Sequence, residues 1–111
     1  MIETDFSSEL STYKYVVVSP RSGCTGCIQE SEYLFENRVN KNDIFFIFTE
    51  IVSTKEMKLR LGKKNVNRQN VYLDTDNKYC LSNYKESAYP IAFKVENGKI
   101  SVEVEIASLI E

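Results

Sequence analysis

The chain has 111 residues, which suits one domain and is long enough to bury roughly 65% of the surface its unfolded form exposes. Hydrophobic residues make up 42% and charged residues 27%, with only 4 Gly and 2 Pro, an ordinary globular mixture and not a disordered, collagen-like or coiled-coil one. The net charge of -2 leaves no basic field for nucleic acid or anionic membrane; the absence of His excludes a Ser-His-Asp triad, a Cys-His pair and any His-ligated metal; and 3 Cys are too few for a disulfide scaffold.

The opening Met1-Ile2-Glu3-Thr4-Asp5 is acidic and polar, with no basic segment leading into an apolar one. The longest apolar runs, Tyr15–Val18 and Ile44–Phe48, fall far short of the ~20 residues that cross a bilayer. The chain as it stands therefore reads as cytoplasmic, without a membrane span, and as extracytoplasmic only where a leader has been removed. Residues 6–13 suit a short helix. Tyr15-Val16-Val17-Val18 is a continuous β-branched run ending at Pro20, the pattern of a strand buried on both faces. Arg21-Ser22-Gly23 reads as loop. From Cys24 onward Cys27/Ile28, Leu34/Phe35 and Val39 share one helical stripe, while Gln29, Glu30, Glu32, Glu36 and Arg38 fall elsewhere, which predicts an amphipathic helix of about four turns. Asn40-Lys41-Asn42-Asp43 ends it, and Ile44-Phe45-Phe46-Ile47-Phe48 is a second buried strand.

Ser53-Thr54-Lys55-Glu56 has the spacing of a capping box, and Gly62 suits the residue just past a helix end. Met57, Leu59 and Leu61 alternate with period two, which admits a strand; the cap and the glycine favour a helix. Val71-Tyr72-Leu73 predicts a short strand, and Asp74-Thr75-Asp76-Asn77 a turn. Residues 78–88 give no clear pattern beyond a helical turn or two. Ile91, Phe93 and Val95 alternate, Asn97-Gly98 follows, and Ile100, Val102, Val104 and Ile106 alternate again, a hairpin with a type I′ turn. Ser101, Glu103 and Glu105 occupy the other face of the last strand, which should meet water. Ala107–Glu111 is too short for a substantial closing helix. Strand–helix–strand units need parallel pairing and the hairpin is antiparallel, so the expected fold class is α/β: one domain over residues 1–111, with a mixed sheet of about five strands and flanking helices.

The chemical signal is Ser22-Gly23-Cys24-Thr25-Gly26-Cys27, placed between a buried strand and the helix it opens. A helix start leaves backbone N–H groups unpaired and carries partial positive charge, and both stabilise a thiolate, the nucleophile of disulfide exchange. Cys24 sits at the lip of the helix and Cys27 inside the first turn, so Cys24 is the better attacking thiol and Cys27 the resolving one. Arg21 would lower the Cys24 pKa further if it folds back. Two other readings stand beside this one: a pair of core cysteines without a role, and a metal site. Zinc needs about four ligands, which here requires carboxylates or a second chain, and an iron–sulfur cluster lacks its fourth cysteine.

Three segments in order carry a resemblance to a known family. VVVSPRSGCTGC leads a strand into C-x-x-C; VYLDTDNKY is a strand followed by a D-x-D turn; and Tyr89-Pro90-Ile91-Ala92-Phe93-Lys94-Val95-Glu96-Asn97-Gly98-Lys99-Ile100 is a proline-initiated strand with N-G-K-I at its hairpin tip. Over roughly residues 13–106 the chain resembles the thioredoxin-like superfamily, closest to its extracytoplasmic (TlpA/ResA-like) group. The resemblance implies a thioredoxin-like fold with a shortened C-terminal helix. It also implies a cis peptide bond before Pro90 beside the cysteines. Tyr89 would pair its backbone with a client chain, and Tyr89, Pro90, Thr25 and Gly26 would form the client groove. The expected activity is thiol–disulfide exchange by Cys24 and Cys27 with protein clients, fed by an electron-donating redox protein, in a monomer that needs no cofactor and no metal. The chain departs from the family in having Gly23 where an aromatic residue is common, Thr25-Gly26 where proline is common between the cysteines, and Val18 where relatives often carry a buried carboxylate. The missing carboxylate and Gly23 favour an alternative of another class, a non-catalytic binding module using the same groove. Cys80 reads as a buried inert thiol, with a third redox partner or an intermolecular bridge as alternatives. Asp74-Thr75-Asp76 lacks the glycine and distal glutamate of a calcium loop. Lys63, Lys64 and Arg68 read as a solvated linker, and the Tyr and Phe residues as core.

Overall fold

Three β-branched and aromatic runs form the parallel half of one sheet. In this computed structural model β1 (Tyr15–Pro20), β2 (Ile44–Thr49) and β3 (Val71–Leu73) pair in parallel, while β4 (Ile91–Glu96) and β5 (Lys99–Val104) add an antiparallel hairpin on the other side of β1. The spatial order is β3-β2-β1-β4-β5. The helices are α1 (Ser7–Thr12), α2 (Thr25–Arg38), α3 (Thr54–Leu61) and α4 (Lys63–Val66), followed at the end by a 3-10 turn, Ile106–Leu109. The structure describes residues 5–20, 25–39, 43–51, 53–76 and 91–109, with backbone alone at 20, 25–28 and 107. The protein is thus α/β with a mixed five-stranded sheet and flanking helices. No helix among the described residues is long and apolar enough to cross a membrane.

The central strands β1 and β2 are buried on both faces, as their continuous apolar runs require. Val16, Val17 and Val18 are all fully buried, but they divide between two cores. Val17 joins Phe46, Phe48 and Ala92 under Leu34, Phe35 and Val39 of α2. Phe35 packs edge-on against Phe46 and Phe48, with ring centroids 5.1 and 5.3 Å apart. Val16 and Val18 face the other way with Phe45, Ile47 and Ile91, under Phe6 and Leu10 at the start of the chain. On that side Tyr13 stacks on Phe45 at 5.7 Å. Burial, and after it the Glu9 carboxylate, raise the Tyr13 phenol above its ordinary value of 10.0.

Local signals set the element ends. Ser53 caps α3 by accepting the Glu56 N–H, and Gly62 ends it at φ 97. Met57 and Leu61 are buried while Leu59 is 77% exposed, which is helical spacing and settles the period-two ambiguity. Beyond Gly62 the expected linker is instead one helical turn, α4, which buries Val66. At the hairpin tip Asn97 and Gly98 both have positive φ, 54 and 75, as a type I′ turn demands.

The alternation expected along the last strand is broken. Val95 pairs with Ile100 but Phe93 with Glu103, so two β5 residues, Ser101 and Val102, oppose Lys94. This bulge sends Ile100 to one core and Val104 to the other, and leaves Val102 55% exposed. Ser101, Glu103 and Glu105 are exposed, as their polarity predicts.

Two polar clasps hold the layers. Asn70, just before β3, is 2% exposed; its Nδ2 donates to the carbonyls of Val39 (2.9 Å) and Ile44 (3.1 Å), and its own carbonyl accepts the Phe46 N–H (2.8 Å). Arg38, in the last turn of α2, donates to Asp43 and to the Leu109 carbonyl, tying the 3-10 turn to the α2–β2 corner.

Candidate active site

The order of connections defines a switch point. The chain moves from β1 to β2 to β3 in one direction and then crosses to β4 on the far side of β1. In open α/β sheets ligands bind outside the carboxyl ends of the strands at such a point. The carboxyl end of β1 is Pro20, and after four intervening residues α2 begins with Thr25-Gly26-Cys27. Thr25, Gly26 and Cys27 therefore form the first turn of a helix of 14 residues, at the end of the central strand. Arg38 in the last turn complements the helix dipole, and no acidic residue in the first turn offsets the partial positive charge there. Gln29 and Glu30, the next residues with described side chains, are exposed. Cys24, Arg21, Tyr89, Pro90 with its expected cis bond, and Cys80 lie outside the described residues.

The same edge of the sheet carries a row of buried polar side chains. Ser19 is 1% exposed, and its Oγ has no hydrogen-bond partner among the described residues. Thr49, paired in register with Pro20, is fully buried and donates from Oγ1 to Oδ2 of Asp74 at 2.8 Å. Asp74 is 1% exposed and follows β3 directly, with its N–H donating to the Phe48 carbonyl at 2.8 Å. It is the one fully buried carboxylate among the described residues. The sequence read Asp74 only as the first residue of a turn, and the turn is there, over Thr75 and Asp76. The signal for more was an acid placed directly after a strand, at the end of the sheet where sites form.

A second concavity, an open groove of about 380 Å³ between α1 and the hairpin tip, lies at the opposite end of β1 and is lined by Tyr13, Lys14, Val95 and Asn97 among others. Its lining includes no Cys, Asp or Glu. Among the described residues no three Cys, Asp or Glu side chains come together as a metal-binding group. No protein-family model, no curated protein and no solved structure matches the chain.

Proposed function

We propose that the chain is a thiol–disulfide oxidoreductase of thioredoxin-like fold. The observation that carries this reading is the placement of the C-x-x-C segment: Cys27 lies in the first turn of α2, which leaves the central strand at the switch point of a mixed sheet. Cys24 as thiolate attacks a client disulfide and forms a mixed disulfide; Cys27 then attacks Cys24, which releases the reduced client and leaves a Cys24–Cys27 disulfide. Another redox protein returns the pair to the dithiol. Tyr89 and Pro90, with Thr25 and Gly26, shape the client groove.

The test is reduction of insulin by dithiothreitol with and without the protein. Acceleration that disappears in Cys24→Ser is expected, and reduced Cys24 should alkylate fastest of the three thiols near neutral pH. A Cys24 thiol titrating at or above the free value of about 8.5 counts against the reading. One observation favours the second reading, a binding module without catalysis: β1 carries no carboxylate, and Val18 is fully buried where relatives often place one. Insulin reduction no faster than in buffer, with groove binding retained, would select that module.

A further inference from the structure

We propose that the exposed side of α3 and α4 is a docking surface for an acidic protein segment, one that carries an apolar residue among its carboxylates. It requires nothing of the redox reading above. Residues 55–68 hold six of the chain's 14 basic residues and one of its 16 acidic ones, so this stretch carries +5 while the rest of the chain carries -7.

Helix geometry arranges these charges. Met57 and Leu61 point α3 at the core, so at about 100° per residue Leu59 points straight away from it, and it is 77% exposed. Lys55 lies one turn before Leu59 on the same side, and Lys58 lies on its flank. Lys63 and Lys64 follow in the next helical turn, α4. All four lysines are exposed, and none makes an ion pair among the described residues. Arg60 differs: its Nε and Nη2 donate to Glu32 of α2 at 3.0 and 2.9 Å, and Glu56 stands 4.0 Å from its Nη1. That network takes up the one acid of the stretch and leaves the lysines uncompensated.

Two local choices here are unfavourable in the chain alone. Lys55 and Lys58, one turn apart, repel where a Glu would attract. A leucine at the centre of an exposed face removes almost no apolar area from water on folding. One partner relieves both, with carboxylates facing the lysines and an apolar side chain covering Leu59, an apolar centre inside a charged rim. The size fits a protein segment: α3 is about 12 Å long and α4 adds one turn of about 5 Å, a span that about six extended residues cover. A longer polyanion would also meet the acidic remainder of the chain. Residues 55–68 include no aromatic side chain on which a base could stack. One leucine is far less than the apolar face that holds a helix in a membrane interface. Arg60 joins this surface to α2, so a partner seated on it stands beside the helix that carries Cys27.

The test follows the fluorescence anisotropy of labelled probes with the full chain at about 0.15 M salt, where the field of an exposed charge decays over about 8 Å. The probe is a twelve-residue peptide of Asp and Glu with Leu-Phe at its centre. It should bind, and Lys58→Glu with Lys63→Glu should weaken it about tenfold or more. Lys14→Glu with Lys99→Glu changes the net charge equally at exposed sites elsewhere and should weaken it less than about threefold. Leu59→Ser should weaken the peptide about fivefold and leave unchanged the binding of a peptide with Ser-Ser in place of Leu-Phe. All five substituted positions are exposed, so the fold tolerates the changes, as circular dichroism will show. No binding by the parent, equal weakening by the two charge-reversed pairs, or no effect of Leu59→Ser on the Leu-Phe peptide overturns the proposal. Tighter binding of a DNA duplex or of phosphatidylserine vesicles than of the peptide overturns it as well. The insulin assay is independent of all these readouts, so the surface and the redox reading fail separately.

Discussion

Replacing Asn70 removes a device that no local signal accounts for. Its Nδ2 serves two backbone carbonyls, those of Val39 and Ile44, at a site 2% exposed. Asn70→Ala deletes both donors and leaves each carbonyl short of a partner in a place water reaches poorly. At ~1–2 kcal/mol per orphaned group the cost is about 2–4 kcal/mol. That is a large fraction of the ~5–15 kcal/mol that holds a domain together, and it corresponds to a fall in Tm of roughly 10–15 °C. Asn70→Asp sharpens the test, because the side chain keeps its shape but presents only acceptors to two carbonyls. It should be less stable than Asn70→Ala at pH 7 and regain stability in acid, where a protonated carboxyl donates once. Urea unfolding followed by circular dichroism, at pH 7 and pH 4, measures both, and equal slopes would show that the unfolded state is unchanged. An Asn70→Asp protein as stable as the parent at pH 7 refutes the clasp.

Three further outcomes follow from the packing. Met57→Ala should cost about 2–4 kcal/mol and Leu59→Ala less than ~0.5 kcal/mol, since α3 buries the first and exposes the second; similar losses would contradict the helix. Gly98→Ala should cost about 1 kcal/mol from backbone conformation alone, because φ is 75 and an added Cβ meets nothing closer than the Ser11 Cβ at 4.0 Å; Gly98→Asn should recover part of that in the same denaturation assay. The folded Tyr13 pKa is raised, so its contribution is complete below the unfolded value near 10 and is lost as pH rises through the folded value. Tyr13→Phe should therefore flatten the loss of stability above pH 10 and leave stability unchanged in slope at neutral pH, as measured by unfolding at stepped pH.

The sequence by itself determined what short-range physics controls. Two apolar runs, Tyr15–Val18 and Ile44–Phe48, read as strands covered on both faces, Ser53 with Glu56 and Gly62 bounded a helix, and Asn97-Gly98 closed a hairpin, because each signal lies within a few residues of its effect. The C-x-x-C at a helix start was legible for the same reason. Tertiary structure decided the rest. The bulge at Ser101 and Val102 splits one alternating stripe between two cores, because the sheet has a core on each face and Val104 is needed on the far one. The Asn70 clasp joins residues 31 and 26 positions apart, and Arg38 reaches Leu109 across 71. Thr49 and Asp74, separated by 25 residues, become neighbours only because β3 pairs with β2 in parallel, in a register set by Phe46 opposite Val71. Sequence periodicity records which side of an element is buried. It does not record which element arrives there, and in this chain that arrival brings the buried carboxylate to the end of the sheet where the cysteine helix begins.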